Sequence, residues 1–149
     1  MPTSTRSHRK IAPHVPDRRP RGLLDTSVII DLEHLDVEQL PVEAAISAIT
    51  MAELAAGPHA TQDPSERARR QDRLQRAEAV FDPLLFDADA SRAYGRIYAA
   101  VAAAGRKARG ARAVDLLIAA TACAADLPIY TRNPDDFNGL HDLVDVIAI

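Results

Sequence analysis

Three carboxylates stand where apolar surroundings penalise them. Ala113–Ala125 (AVDLLIAATACAA) carries a single charge, Asp115; Leu23–Ile30 (LLDTSVII) carries only Asp25; Ala44–Ala56 (AAISAITMAELAA) carries only Glu53. A segment that is apolar nearly all round belongs in a core, where an uncompensated carboxylate is costly. Each acid alone has a local explanation. Asp115 can face its helix dipole, Asp25 can cap a first helix, and Glu53 can close a capping box with Thr50. The same pattern in three distant segments points instead to one nest of carboxylates.

Such a nest implies cations. Two bare carboxylates about 4 Å apart repel by roughly 4 kcal/mol at an effective dielectric near 20, so several together take up protons or bind metal. An all-oxygen donor set without His or Cys suits Mg²⁺ or Mn²⁺. The five histidines (His8, His14, His34, His59 and His141) show no ligand spacing and avoid the apolar windows, which argues against zinc. A carboxylate-held divalent ion serves phosphoryl chemistry: it can activate a water, orient a phosphodiester and stabilise the leaving oxygen. Just before Asp115 lies GRKARGAR (residues 105–112), with Arg106, Lys107, Arg109 and Arg112. This loop can hold a nucleic-acid backbone, or it can simply be solvated.

The elements that position these residues alternate. A strand is expected at Gly22–Asp25, then a helix from Thr26 to about Leu35 with Thr26 or Ser27 as N-cap. A second strand is expected at Ala45–Ile49, and a helix from Thr50 to about Ala56, stopped by Gly57-Pro58. Asp63-Pro64-Ser65-Glu66 reads as a capping box opening a charged helix to about Val80. A third strand is expected at Pro83–Phe86. Asp87 or Asp89 caps a helix to Ala104 whose Tyr94, Ile97, Tyr98 and Val101 keep helical spacing, a stripe that suggests core or interface. The Asp115 helix ends near Asp126. A strand follows at Ile129–Thr131, then a turn or one-turn helix at Asn133–Asp136, where Asp135 and Asp136 can be mere turn formers, and a last strand at Leu143–Ile149. Alternation of this kind makes βαβ units and a mostly parallel sheet. Sites in such sheets form beyond the carboxyl ends of the strands. Asp25, Glu53, Asn133 and Asp136 all fall there, and Asp115 can face the same edge.

The 149 residues make one domain, 47% hydrophobic and 26% charged, with no apolar run near the roughly 18–20 residues of a membrane span. The lone Cys123 lies in the apolar helix and reads as a small core residue, and nothing asks for an oxidising compartment, so the cytoplasm is expected. Residues 1–22 carry a net +5, which leaves −8 for the rest of a chain whose total is −3. An acidic body argues against nucleic-acid binding by charge alone. Residues 1–21 read as a flexible basic tail ahead of a folded domain at 22–149.

Taken together, LLDTSVIID, ITMAEL, VDLLIAATA and LPIYTRNPDDF, in this order and spacing, resemble the PIN-domain ribonucleases, and specifically the VapC toxins of bacterial toxin–antitoxin pairs. The resemblance covers about Gly22 to Ile149. It implies a three-layer α/β/α fold with a mostly parallel four- to five-stranded sheet, and cleavage of RNA dependent on Mg²⁺ or Mn²⁺. It places Asp25, Glu53 and Asp115 as metal-holding catalytic acids. The fourth acid departs from the family pattern: Asn133 follows Thr131 where some members have Asp, so Asp136 takes the metal- or water-positioning role and Asn133 a secondary polar one. Thr26, Ser27 and Thr131 then orient carboxylates, while Arg106, Lys107, Arg109 and Arg112 bind RNA phosphates. A homodimer and a VapB-like antitoxin that blocks the site are also implied, with the helices at 64–80 and 88–104 as plausible surfaces. The competing reading is a catalytically silent PIN-like module that binds RNA or protein. A phosphatase of the haloacid-dehalogenase type is disfavoured, because it wants an acid where Ser27 stands.

Overall fold

The structure, a computed structural model, describes residues 18–149. Four short strands, β1 (Arg21–Leu24), β2 (Glu43–Ala45), β3 (Ile129–Thr131) and β4 (Val146–Ala148), form one sheet in the order β2-β1-β3-β4. Every pairing is parallel. The two central strands are buried on both faces, as an all-parallel sheet requires: Leu23, Leu24, Ile129, Tyr130 and Thr131 are all inaccessible. Successive side chains point to opposite faces. Leu23 and Ile129 join the core under α4 (Ala88–Ala103) and α5 (Ala111–Ala124), with Ile97, Leu116 and Phe137. Leu24 and Tyr130 join a second core with Val28, Ile46, Leu54 and Leu74, under α1 (Thr26–Ile30), α2 (Ala48–Ala56) and α3 (Pro64–Val80). The result is the expected α/β/α sandwich.

Several expected boundaries move, each for a local reason. The second strand ends at Ala45 rather than Ile49, because Ser47 caps α2: its side chain accepts from Thr50 N at 3.0 Å. Thr50 is therefore inside the helix, and Glu53, two turns in, is no capping residue. The third expected strand, Pro83–Phe86, shrinks to one bridge between Leu84 and Ser47, flanked by bonds from Ala48 N to Leu84 O and from Leu84 N to Ile46 O. The partner segment turns into α2 at Ala48, so a longer ladder has nothing to pair with. The first helix stops at Ile30 instead of Leu35. Asp31, a weak helix former, turns its carboxylate to Arg132 Nε at 3.2 Å, and a 3₁₀ turn follows at Leu32–His34. The last strand begins only at Val146, since Leu143 N and Val144 N both donate to Leu140 O.

Helix starts follow their caps. Asp63 accepts from Ser65 N and Glu66 N, but Glu66 does not complete the expected box; its carboxylate takes Arg69 and Arg70 instead. Asp87, not Asp89, caps α4. The boundary expected after residue 21 falls inside β1, and Arg18 already bonds Leu40 O and Pro41 O, so the folded body reaches back at least to Arg18. The rest of the expected basic tail, residues 1–17, lies outside the described residues. Cys123 is half-buried, with Arg96 Nη2 3.8 Å from its sulfur.

Candidate active site

Chain direction decides where the acids gather. Because all four strands run parallel, their carboxyl ends share one edge. Asp25 follows β1 and is tied into the sheet through Asp25 N to Tyr130 O at 2.9 Å. It is 4% exposed. Ser27 Oγ and Thr131 Oγ1 both donate to its Oδ2, at 2.8 and 2.9 Å. Oδ1 receives no protein donor among the described residues. The two hydroxyls are themselves fixed from behind, Ser27 accepting from Arg132 N at 3.1 Å and Thr131 from Asn133 N at 3.0 Å. A buried carboxylate held this way points one oxygen inward and leaves the other for chemistry.

Glu53 arrives from α2. Thr26 Oγ1 donates to its Oε1 at 2.6 Å, a short charge-assisted bond. Thr26 also lies 3.0 Å from the fully buried Thr50 hydroxyl, which Ser47 Oγ approaches at 3.3 Å. A row of hydroxyls thus connects the cap of α2 to Glu53. The sequence offered a signal for Thr50, a polar residue in an apolar window three places after a Ser. Sequence reasoning used it only as a cap.

Asp115 enters from the second turn of α5, and its environment shows what stands around it. Its carboxyl is pushed up to about 7, first by burial, then by the charges of Asp25, Asp136 and Glu53, against a smaller opposing pull from Arg112. Three of the acids expected from sequence, Asp25, Asp136 and Glu53, therefore act on the fourth, Asp115. Asp136 sits in the 3₁₀ turn Pro134–Phe137, its backbone N bonded to Asn133 O at 3.1 Å. Asn133 serves the site through its backbone, buttressing Thr131; its exposed side chain makes no hydrogen bond among the described residues.

The basic residues divide. Arg112 lies one turn before Asp115, and its Nη1 is buried without a hydrogen-bond partner among the described residues. Arg106 Nη1 reaches Asp135 O at 3.4 Å, drawing the 105–110 loop to the acid-bearing turn. Lys107 and Arg109 line a hollow next to that loop. Sequence reasoning missed the Asp31–Arg132 pair, which braces α1 against the segment after β3; no periodicity or motif marks it.

The donor set fits a hard divalent cation: carboxylate oxygens only, mutually repelling, with one free oxygen on Asp25. As the side chains stand, no three described His, Cys, Asp or Glu residues converge tightly enough to grip a single ion. Closing the set takes side-chain rotation, for which the exposed Glu53 has room.

A sheet edge crowded with acids, inside this fold, is the hallmark of one family. The PIN-domain model matches residues 22–140, and the chain belongs to the PIN-domain family. Within it, the chain resembles the VapC proteins. It is 37% identical over 131 residues to Ribonuclease VapC5 of Mycobacterium tuberculosis, covering 86% of this chain and 93% of that protein. The crystal structure of VapBC-5, a toxin–antitoxin system of the same organism, superposes with a TM-score of 0.77 at 36% identity, covering 87% of this chain and 99% of that one. FitAcB of Neisseria gonorrhoeae follows with a TM-score of 0.63 at 27% identity, over 84% and 95% of the two chains. No helix among the described residues is long and apolar enough to cross a membrane.

Proposed function

We propose that this protein is the toxin of a VapBC-type pair, an endoribonuclease that hydrolyses RNA phosphodiester bonds with a divalent cation, Mg²⁺ or Mn²⁺. The observation that carries this reading is a PIN-domain sheet whose β1 ends in the buried Asp25, held through one oxygen by Ser27 and Thr131, with the charges of Asp25, Asp136 and Glu53 acting on Asp115. Asp25, Glu53 and Asp115 hold the cation, and Asp136 positions water or a second charge. When bound, the cation supplies charge neutralisation and water activation for in-line displacement. Ser27 and Thr131 fix Asp25 so that its free oxygen faces the site. Thr26 steers Glu53. Arg112, with a buried and unpartnered Nη1, is ready to donate to a phosphate oxygen. Arg106, Lys107 and Arg109 attract the RNA backbone that the acidic body would otherwise repel.

The partner reading follows the likeness to VapBC-5. A hollow of about 370 Å³ lies between α1 and α3, floored by Ile29, Leu32, Ala77 and Phe81 and rimmed by Glu33, Arg69, Arg73 and the Asp72–Arg76 pair. It shares Arg73 with a second hollow that reaches Thr26 and Glu53. An antitoxin segment with apolar and acidic side chains fits the first hollow and would block the site from the second. On this reading the partner sits on the 64–80 helix. Homodimerisation and a cytoplasmic place of action belong to the same proposal.

The test is cleavage of a total RNA pool by antitoxin-free protein with Mg²⁺, with EDTA, and with the Asp25→Asn and Asp115→Asn variants. Discrete fragments confined to the wild-type Mg²⁺ lane support the reading. Intact RNA in every lane, from folded protein, favours the silent binding module. A variant with full activity removes its residue from the mechanism.

A further inference from the structure

The chain has six aromatic residues, three Tyr and three Phe, all within the described region, and only one of them is exposed. It is Tyr98, 52% accessible. The helical spacing of Tyr94, Ile97, Tyr98 and Val101 suggests a common core stripe, but the structure splits them. Ile97 and Val101 are buried, and Tyr98 turns outward. Its ring is supported from behind: Tyr94 packs on the core, and the two ring centroids lie 6.3 Å apart at a tilt of 48°. An aromatic face fixed by a second ring has little entropy left to lose on binding.

What surrounds Tyr98 is equally selective. It lines a hollow of about 190 Å³ whose other walls are Val101, Ala102, Arg106, Lys107, Ala108 and Arg109. Three of the four cations of the 105–112 loop are there, and no acid is. Arg106, through Asp135 O, joins the hollow to the turn that carries Asp136.

We propose that Tyr98 and the cations Arg106, Lys107 and Arg109 form a subsite for one unpaired nucleotide of the RNA, beside the cleavage centre. The base stacks on the Tyr98 ring and the adjoining phosphates lie against the cations. A positive groove interleaved with an aromatic platform is how proteins grip single strands, while a base inside a duplex has no free face to stack. The charge also argues against a second copy of this chain as occupant. A two-fold contact would set this cationic patch against itself. The subsite rests on the ribonuclease reading and adds to it Tyr98 as the residue that holds a base beside the cleavage centre.

The test uses full-length protein and a single-stranded RNA dodecamer pool carrying 5-iodouridine, which photo-crosslinks to stacked aromatic rings. The expected crosslink maps to Tyr98. Tyr98→Ala weakens dodecamer binding about tenfold, Tyr98→Phe keeps it, and a duplex of the same length binds poorly to wild type and variants alike. Binding by Tyr98→Ala equal to wild type, or a crosslink mapped elsewhere, overturns the subsite. So does a Tyr98→Ala protein that changes oligomeric state in light scattering while binding RNA normally, because that makes the face a protein contact. Wild type that cleaves RNA while Tyr98→Ala is unaffected removes the subsite alone. Wild type that neither binds nor cleaves RNA removes the ribonuclease reading with it.

Discussion

Asp115→Asn should make the protein more stable while making it inactive. The substitution keeps size and removes a charge that the fold holds at a cost. Between about pH 4 and pH 7 the folded protein retains a proton on Asp115 that the unfolded chain has already released. Stability from this group is therefore complete below the ordinary aspartate range and is lost as pH rises towards 7. Taken at face value, a carboxyl pushed up to about 7 withholds about 4 kcal/mol above neutrality. Solvent screening at a site only partly buried reduces this to about 1–2 kcal/mol. For a domain of this size that corresponds to about 3–6 °C in melting temperature. Thermal melts by circular dichroism with EDTA should place the Asn variant that far above wild type at pH 8 and close to it at pH 4.5. Millimolar Mg²⁺ at pH 8 should then raise the wild-type midpoint and leave the variant's nearly unmoved, since a ligand stabilises only the state that binds it. Equal melting at both pH values, or a larger gain in acid, would refute the electrostatic account of the site.

Other outcomes follow from single contacts. Thr131→Val removes a donor to Asp25 and the acceptor of Asn133 N; cleavage rates should fall about 10–100-fold, and urea titration should show a loss of about 1–3 kcal/mol. Ser47→Ala uncaps α2, for a loss of about 1 kcal/mol in the same assay together with reduced activity, because Glu53 rides on that helix. Gly22→Ala places a methyl 2.5 Å from the Tyr130 ring, which is buried and cannot yield; the expected cost is about 1–3 kcal/mol, with the metal dependence of any remaining activity unchanged.

Asp25 and Asp115 stand out in the sequence because one charge in an apolar window calls for a reason; Glu53, in a window of the same kind, is exposed. The short strands were harder. Ile46–Ile49 is equally apolar in helix or strand, and only the hydrogen bond from Thr50 N to Ser47 decides. The strand expected at Pro83–Phe86 survives only as a bridge, because its partner turns into α2 at Ala48. Contacts between distant side chains left no trace in the pattern. Nothing local pairs Thr26 with Glu53 or Asp31 with Arg132, since those bonds depend on how helices settle against the sheet. Asp136 over Asn133 was a choice of charge over spacing.

The central strand has an asymmetric history. β1 finds one neighbour, β2, about twenty residues downstream, yet its other neighbour, β3, is made more than a hundred residues later. During synthesis, early segments fold as they emerge, but here Asp25 must wait for Thr131, which supplies one of its two hydroxyl donors. The order of the strands thus delays completion of the Asp25 contacts until β3 has been made.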